Sequence, residues 1–175
     1  MRIVGGKFAG RALASLNDFK VRPTAEAVRV AMMKLVANDL EGAKVVDLFA
    51  GTGAIGLEAL SRGAKYVDFV EFRPSSLHTL KANVAALRVQ QQSRIYKKDA
   101  LPFADALPPD RYDLAFADPP YESRMLDRLI ERWQQAPWSN VLVAAHARTH
   151  QLPRASQFTM LEDSAISVSR RPSPA

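Results

Sequence analysis

The stretch Val45-Val46-Asp47-Leu48-Phe49-Ala50-Gly51-Thr52-Gly53-Ala54-Ile55-Gly56 decides the fold. Val45 to Ala50 is an apolar run interrupted by one carboxylate, short enough for a buried strand and closed by glycines; Ala54 to Ser61 then reads as a helix. Downstream the pattern repeats. Tyr66 to Glu71 reads as strand, Ser75 to Leu87 as helix, Arg94 to Lys98 and Tyr112 to Ala117 as strands, Ser123 to Gln134 as helix, and Asn140 to Ala145 as strand. Such alternation predicts an α/β fold whose mainly parallel sheet is covered on both faces. Gln157 to Leu161 and Ala165 to Ser169 follow without a helix between them, so they pair as a C-terminal antiparallel hairpin. Upstream, Arg2 to Val4 and Lys7 to Leu13, separated by Gly5-Gly6, predict an N-terminal β-hairpin. Thr24 is placed to cap a helix in which Val28, Ala31, Met32, Leu35 and Val36 recur at helical spacing.

The pattern Gly51-x-Gly53-x-x-Gly56, after a strand and opening a helix, lets backbone approach a nucleotide cofactor closely. Glu71, about twenty residues later at the end of the next strand, is positioned to accept ribose hydroxyls. Both features fit a nicotinamide dinucleotide and S-adenosylmethionine alike. Asp47 separates them. A carboxylate beside this loop repels a pyrophosphate but attracts the ammonium and sulfonium of S-adenosylmethionine, provided it faces the loop directly or through water. An unpaired Asp in an apolar strand is otherwise costly to bury.

The chain has 175 residues, 47% of them hydrophobic, enough for one sizeable core. No apolar stretch approaches the roughly 20 residues of a membrane span, and the N-terminus has no signal-peptide core, so a soluble cytoplasmic protein is expected. Without cysteine there is no disulfide or thiolate site. His78, His146 and His150 are too scattered for a zinc motif, and no metal is expected. The formal charge of +6 points to a polyanionic partner. Residues 1–22 concentrate it: Arg2, Lys7, Arg11, Lys20 and Arg22 stand against Asp18 alone, as in a phosphate-contacting arm.

Asp118-Pro119-Pro120-Tyr121 ends the apolar run Leu114 to Ala117. Two prolines fix φ and remove two backbone donors, leaving a rigid turn rich in carbonyl acceptors, which suits an exocyclic NH2. The tetrapeptide is similar to the amino-methylating loop of S-adenosylmethionine enzymes. Val45 to Gly53 resembles motif I of class I methyltransferases. Together with Arg2-Ile3-Val4-Gly5-Gly6, Gly10-Arg11, Arg22-Pro23-Thr24 and Gly56-Leu57-Glu58-Ala59-Leu60-Ser61-Arg62-Gly63-Ala64, these motifs resemble the RsmD family of bacterial small-subunit ribosomal RNA guanine-N2 methyltransferases.

That resemblance implies a Rossmann-like class I sheet of seven strands over residues 23–170 beside an N-terminal arm over 1–22; by its composition, 171–175 reads as a disordered tail. It implies S-adenosylmethionine as cofactor, its methionine part held by Asp47, Phe49, Ala50, Gly51, Thr52 and Gly53. Glu71 would take the ribose, Phe72 would pack on the adenine, and Asp99 with Ala100 would read the adenine amino edge. Asp118, Pro119, Pro120 and Tyr121 would form the catalytic loop. Arg2, Lys7, Arg11 and Arg22 would contact small-subunit ribosomal RNA, naked or within an assembling particle, with the enzyme as a monomer. Two departures stand out: Arg73 replaces an acidic residue common in relatives, and Ser164-Ala165-Ile166-Ser167-Val168-Ser169 lacks the usual glycine and aromatics of the closing hairpin. Alternative readings are an adenine-N6 DNA or RNA methyltransferase, a glutamine-N5 protein methyltransferase, an inactive nucleic-acid-binding module and, last, a nicotinamide oxidoreductase. The second would ordinarily carry Asn in place of Asp118.

Overall fold

The computed structural model describes residues 1–16, 24–121, 123–152 and 157–172, and the backbone alone for 157 and 158. Arg22 and Lys20 lie outside the described residues, as does most of the expected tail. Within them, Lys44–Asp47 (β1), Tyr66–Glu71 (β2), Ser93–Lys97 (β3), Tyr112–Ala117 (β4), Ser139–Ala147 (β5), Gln157–Met160 (β6) and Ser164–Arg170 (β7) form one seven-stranded sheet. Its order is β3-β2-β1-β4-β5-β7-β6. The first five strands are parallel, and β7 runs antiparallel to both β5 and β6. The expected C-terminal hairpin is therefore present, with its second strand on the inside, where Ile166 and Val168 are fully buried.

The period of two along each strand divides the core. Val45, Val67, Phe69, Leu114, Phe116 and Val143 point to one face, where helices Glu26–Leu35 (α1), Ala54–Ser61 (α2) and Pro74–Ala86 (α3) cover them. Val46, Leu48, Val70, Ala115 and Leu142 point to the other, under helices Ala100–Asp105 (α4) and Met125–Gln135 (α5). α5 follows the apolar spacing of its sequence: Leu126, Leu129, Ile130 and Trp133 are buried on one stripe, each stabilising by about 1.5–3 kcal/mol. The Trp133 indole donates to the Ser139 carbonyl at 3.1 Å, so the large ring is buried with its polar atom satisfied. α4 has no counterpart in the sequence reading, because six residues containing Pro102 show no helical repeat. The strand expected to reach Ala50 stops at Asp47, where the chain leaves the sheet to form the glycine loop.

α2 is buried along its whole length, Glu58 and Ser61 included, because residues 1–16 lie across it. The expected N-terminal hairpin pairs through a single bridge, Arg2 with Ala12, around a 3-10 turn at Gly6–Phe8. Ile3 and Leu13 join the main core. Glu58 accepts from the Val4 amide at 2.6 Å; Ser61 Oγ accepts from the Phe8 amide at 2.9 Å and donates to the Gly5 carbonyl at 2.5 Å. Gly6 has φ +79°, and a Cβ there would stand 1.9 Å from the Ser61 carbonyl oxygen. At the far end of the segment, the Asn83 side chain of α3 bonds both the Ala14 amide, at 2.8 Å, and its carbonyl, at 3.1 Å. These contacts make residues 1–16 a cover for α2 and α3, continuous with the rest of the fold.

Candidate active site

The strand order reverses between β1 and β4, so the segments leaving their carboxyl ends diverge and open a crevice. A cavity of about 570 Å³ occupies it, within the range of ligand pockets. The glycine loop forms its floor. Gly53 has φ +83°, and a Cβ there would stand 2.4 Å from Leu80 Cδ1, so the residue allows both the turn and the close seating of α2 against α3. Asn83 Nδ2 donates to the Thr52 carbonyl at 2.9 Å, which holds the loop from behind.

Asp47 lies beneath this floor, fully buried, and does not line the cavity. Its Oδ2 accepts from the Gly56 amide at 3.0 Å, tying β1 to the first turn of α2. Oδ1 is buried without a hydrogen-bond partner. Burial pushes the carboxyl up to about 7, against the Gly56 and, more weakly, the Phe49 amides, which favour the ionised form; Asp118 and Glu71 add repulsion. Asp47 is thus joined to the loop from below, by way of the Gly56 amide.

Glu71, at the end of β2, is buried and meets the cavity with a carboxylate already shared among backbone donors. Oε2 accepts from the Gly51 amide at 2.9 Å, and Oε1 from Phe72 and Arg73 amides at 2.8 and 2.7 Å. Two oxygens offer about four acceptor positions, so one remains for a ligand hydroxyl. Asp99, after β3, caps α4 by accepting from the Leu101 amide at 3.1 Å and lines the cavity beside Ala100. Phe72, half exposed at 49%, forms a rim with Arg73, whose guanidinium lies 5.6 Å from its ring centre. Lys98 lines the same cavity.

Asp118 to Tyr121 form the opposite wall. The Pro120 carbonyl accepts from the Ser123 amide at 3.1 Å and its hydroxyl at 2.8 Å, closing a turn onto α5. Thr24 is also in this wall, and its hydroxyl donates to Asp118 Oδ2 at 2.5 Å. This corrects its expected capping role: the residue at the helix boundary is Ala25, without a side-chain cap. Nothing in the local sequence pairs Thr24 with a carboxylate 94 residues away.

The structure thus brings Phe49, Ala50, Gly51, Thr52, Glu71, Phe72, Asp99, Ala100 and Asp118 to Tyr121 around one cavity, with Asp47 and Gly53 behind it. Of the basic residues, Arg2 is exposed and 3.6 Å from Glu26, Lys7 lies over the Phe8 ring, and Arg11 donates to the Ala86 carbonyl at 2.9 Å. None of these three lines the cavity.

Comparison with known proteins agrees with this architecture. The family model described as conserved hypothetical protein 95 matches residues 1–166. Ribosomal RNA small subunit methyltransferase D of Escherichia coli K12 is 32% identical over 138 residues, 79% of this chain and 69% of that protein. A solved hypothetical protein of Thermus thermophilus superposes with a TM-score of 0.81 at 27% identity, covering 98% of this chain and 99% of the other. The RNA methyltransferase of Salinibacter ruber, solved with S-adenosyl-L-homocysteine, shares the fold alone: TM-score 0.70 at 14% identity, over 88% of this chain and 96% of that one. The sheet order and C-terminal hairpin are those of class I methyltransferases. With its motif order, cavity and sheet in agreement, the chain belongs to the family of conserved hypothetical protein 95, the RsmD family of small-subunit ribosomal RNA methyltransferases.

Proposed function

We propose that this chain transfers a methyl group from S-adenosylmethionine to the exocyclic N2 amine of a guanine in small-subunit ribosomal RNA. The observation that carries the reading is the placement of the Asp118 loop across one cavity from the glycine loop and Glu71. An amine acceptor and a nucleoside site face the same space.

The residues fit the cofactor. Glu71 keeps an acceptor position for a ribose hydroxyl, Phe72 offers a flat apolar face at the rim, and Asp99, beside the buried Ala100, an acceptor for an amino edge. The fully buried carboxyl of Asp47 makes the ground under the glycine loop favourable for a cation. S-adenosylmethionine, when bound, supplies an electrophilic methyl group on a sulfonium leaving group.

The protein's own task is positioning. A guanine N2 lone pair is delocalised into the ring, so the amine needs to be held in line and its growing charge stabilised. The Asp118 carboxylate and the Pro119 carbonyl accept the amino hydrogens, directing the lone pair into the cavity. With the donor bound, the positive charge that develops on the nitrogen as it takes the methyl group would be stabilised by Asp118, and the proton then released would pass to solvent. Tyr121, partly buried against the core, offers the face on which a flipped-out base stacks.

The test is radiolabelled methyl transfer to bulk ribosomal RNA and to purified small-subunit particles, followed by nucleoside analysis. N2-methylguanosine is expected with the wild-type protein, and none with Asp118→Ala, while cofactor binding by the variant persists. N6-methyladenosine, or a fully active Asp118→Ala, overturns the assignment.

A further inference from the structure

We propose that Thr24 is a positioning residue that sets the orientation of the Asp118 carboxylate; the inference rests on the assignment of Asp118 to methyl transfer. A carboxylate that must accept an amino hydrogen in concert with the Pro119 carbonyl has to hold its plane. The terminal torsion of an aspartate is broad and two-fold, so the side chain does not hold that plane by itself. Thr24 Oγ1 supplies the constraint with a charge-assisted hydrogen bond to Oδ2 at 2.5 Å, from within the cavity wall.

Thr24 is itself fixed from behind. Its carbonyl accepts from Arg29 Nη1 at 2.8 Å, and the same guanidinium donates through Nη2 to the Arg2 carbonyl at 2.9 Å. Arg29 is only 2% exposed, and Glu58 Oε1 lies 3.9 Å from its Nε. Burying a guanidinium is costly unless its fork is used, and here the fork joins two backbone segments that precede the core. β-branching narrows the hydroxyl's own rotation. The threonine makes no side-chain cap on α1, so its polar atom is assigned to the carboxylate and not to the helix.

The experiment compares Thr24→Val, which keeps the shape and removes the donor, with Thr24→Ser, which keeps the donor. Thr24→Val should lower kcat about tenfold to a hundredfold, as expected for a misaligned catalytic group. KM for RNA and the affinity for S-adenosylhomocysteine should stay within about twofold, because binding contacts are untouched. Thr24→Ser should restore most of kcat. Independently of activity, urea unfolding of Thr24→Val, Asp118→Asn and the double variant should be non-additive. A wild-type kcat in Thr24→Val, a Thr24→Ser as impaired as the valine variant, or additive urea effects overturns the proposal. Failure of the underlying reading looks different: Asp118→Ala then keeps full activity, whereas the urea cycle still reports the contact.

Discussion

Asp47 and Glu71 are carboxylates that bind backbone before they bind anything else. With its ordinary value of 3.8 raised to about 7 by burial, Asp47 keeps a proton in the folded chain that the unfolded chain gives up near pH 4. Its contribution to stability is therefore fully present below that pH and is lost as pH rises through about 7. Asp47→Asn removes the loss. The variant should gain stability relative to wild type between pH 5 and pH 8, by up to a few kcal/mol, as read from urea midpoints at each pH. A cation over the glycine loop favours the ionised form, so binding of S-adenosylmethionine should release protons near neutral pH. Calorimetry in buffers of different ionisation enthalpy measures that release. Glu71→Ala should weaken cofactor binding and also destabilise the ligand-free protein by about 1–3 kcal/mol, since three amides lose an acceptor. Thermal melts separate the two effects. The sequence marked both carboxylates, but could not show that their first partners are the amides of the glycine loop and the residues after β2.

At the scale of elements, the period-two strands and the helix between glycine loop and β2 were legible because their apolar patterns are long and unbroken. Ala54–Ser61 and Tyr66–Glu71 fall where the pattern placed them. α4 was not legible, being six residues, less than two turns, with a proline. Residues 1–16 were legible as paired backbone but not as a cover for α2, because their anchors Glu58, Ser61 and Asn83 read as ordinary polar positions on helices. That cover tolerates little added volume at its tightest point. Gly6→Ala should destabilise by about 3 kcal/mol, combining a strained φ with a clash against the Ser61 carbonyl. Gly10, at φ +81° with open space around it, should lose less on the same change, and paired denaturation curves compare the two.

Across the whole molecule, a charge of +6 is spread over a surface whose RNA contacts need separating from its structural ones. Removing residues 1–13 would strip Ile3 and Leu13 from the core, so weaker RNA binding after deletion would report unfolding as readily as missing phosphate contacts. Neutralising charge while keeping the backbone avoids this. Replacing Arg2, Lys7 and Arg11 together by Gln should flatten the salt dependence of RNA binding by about 0.7–0.9 for each phosphate no longer neutralised, with melting temperature nearly unchanged. An unchanged slope would place the RNA-binding surface elsewhere. Arg2 and Arg11 also hold Glu26 and the Ala86 carbonyl, so the melting curve is needed beside the slope. The seating of residues 1–16 has a temporal side too. Val4 finds its acceptor 54 residues downstream, Ala14 finds one 69 downstream, and Thr24 reaches 94 downstream. During synthesis these segments leave the ribosome before their anchors exist, and such long-range closures come late in folding. The Thr24–Asp118 contact forms only after β4 has been made, so a nascent chain holds a glycine loop before the wall of the cavity is complete.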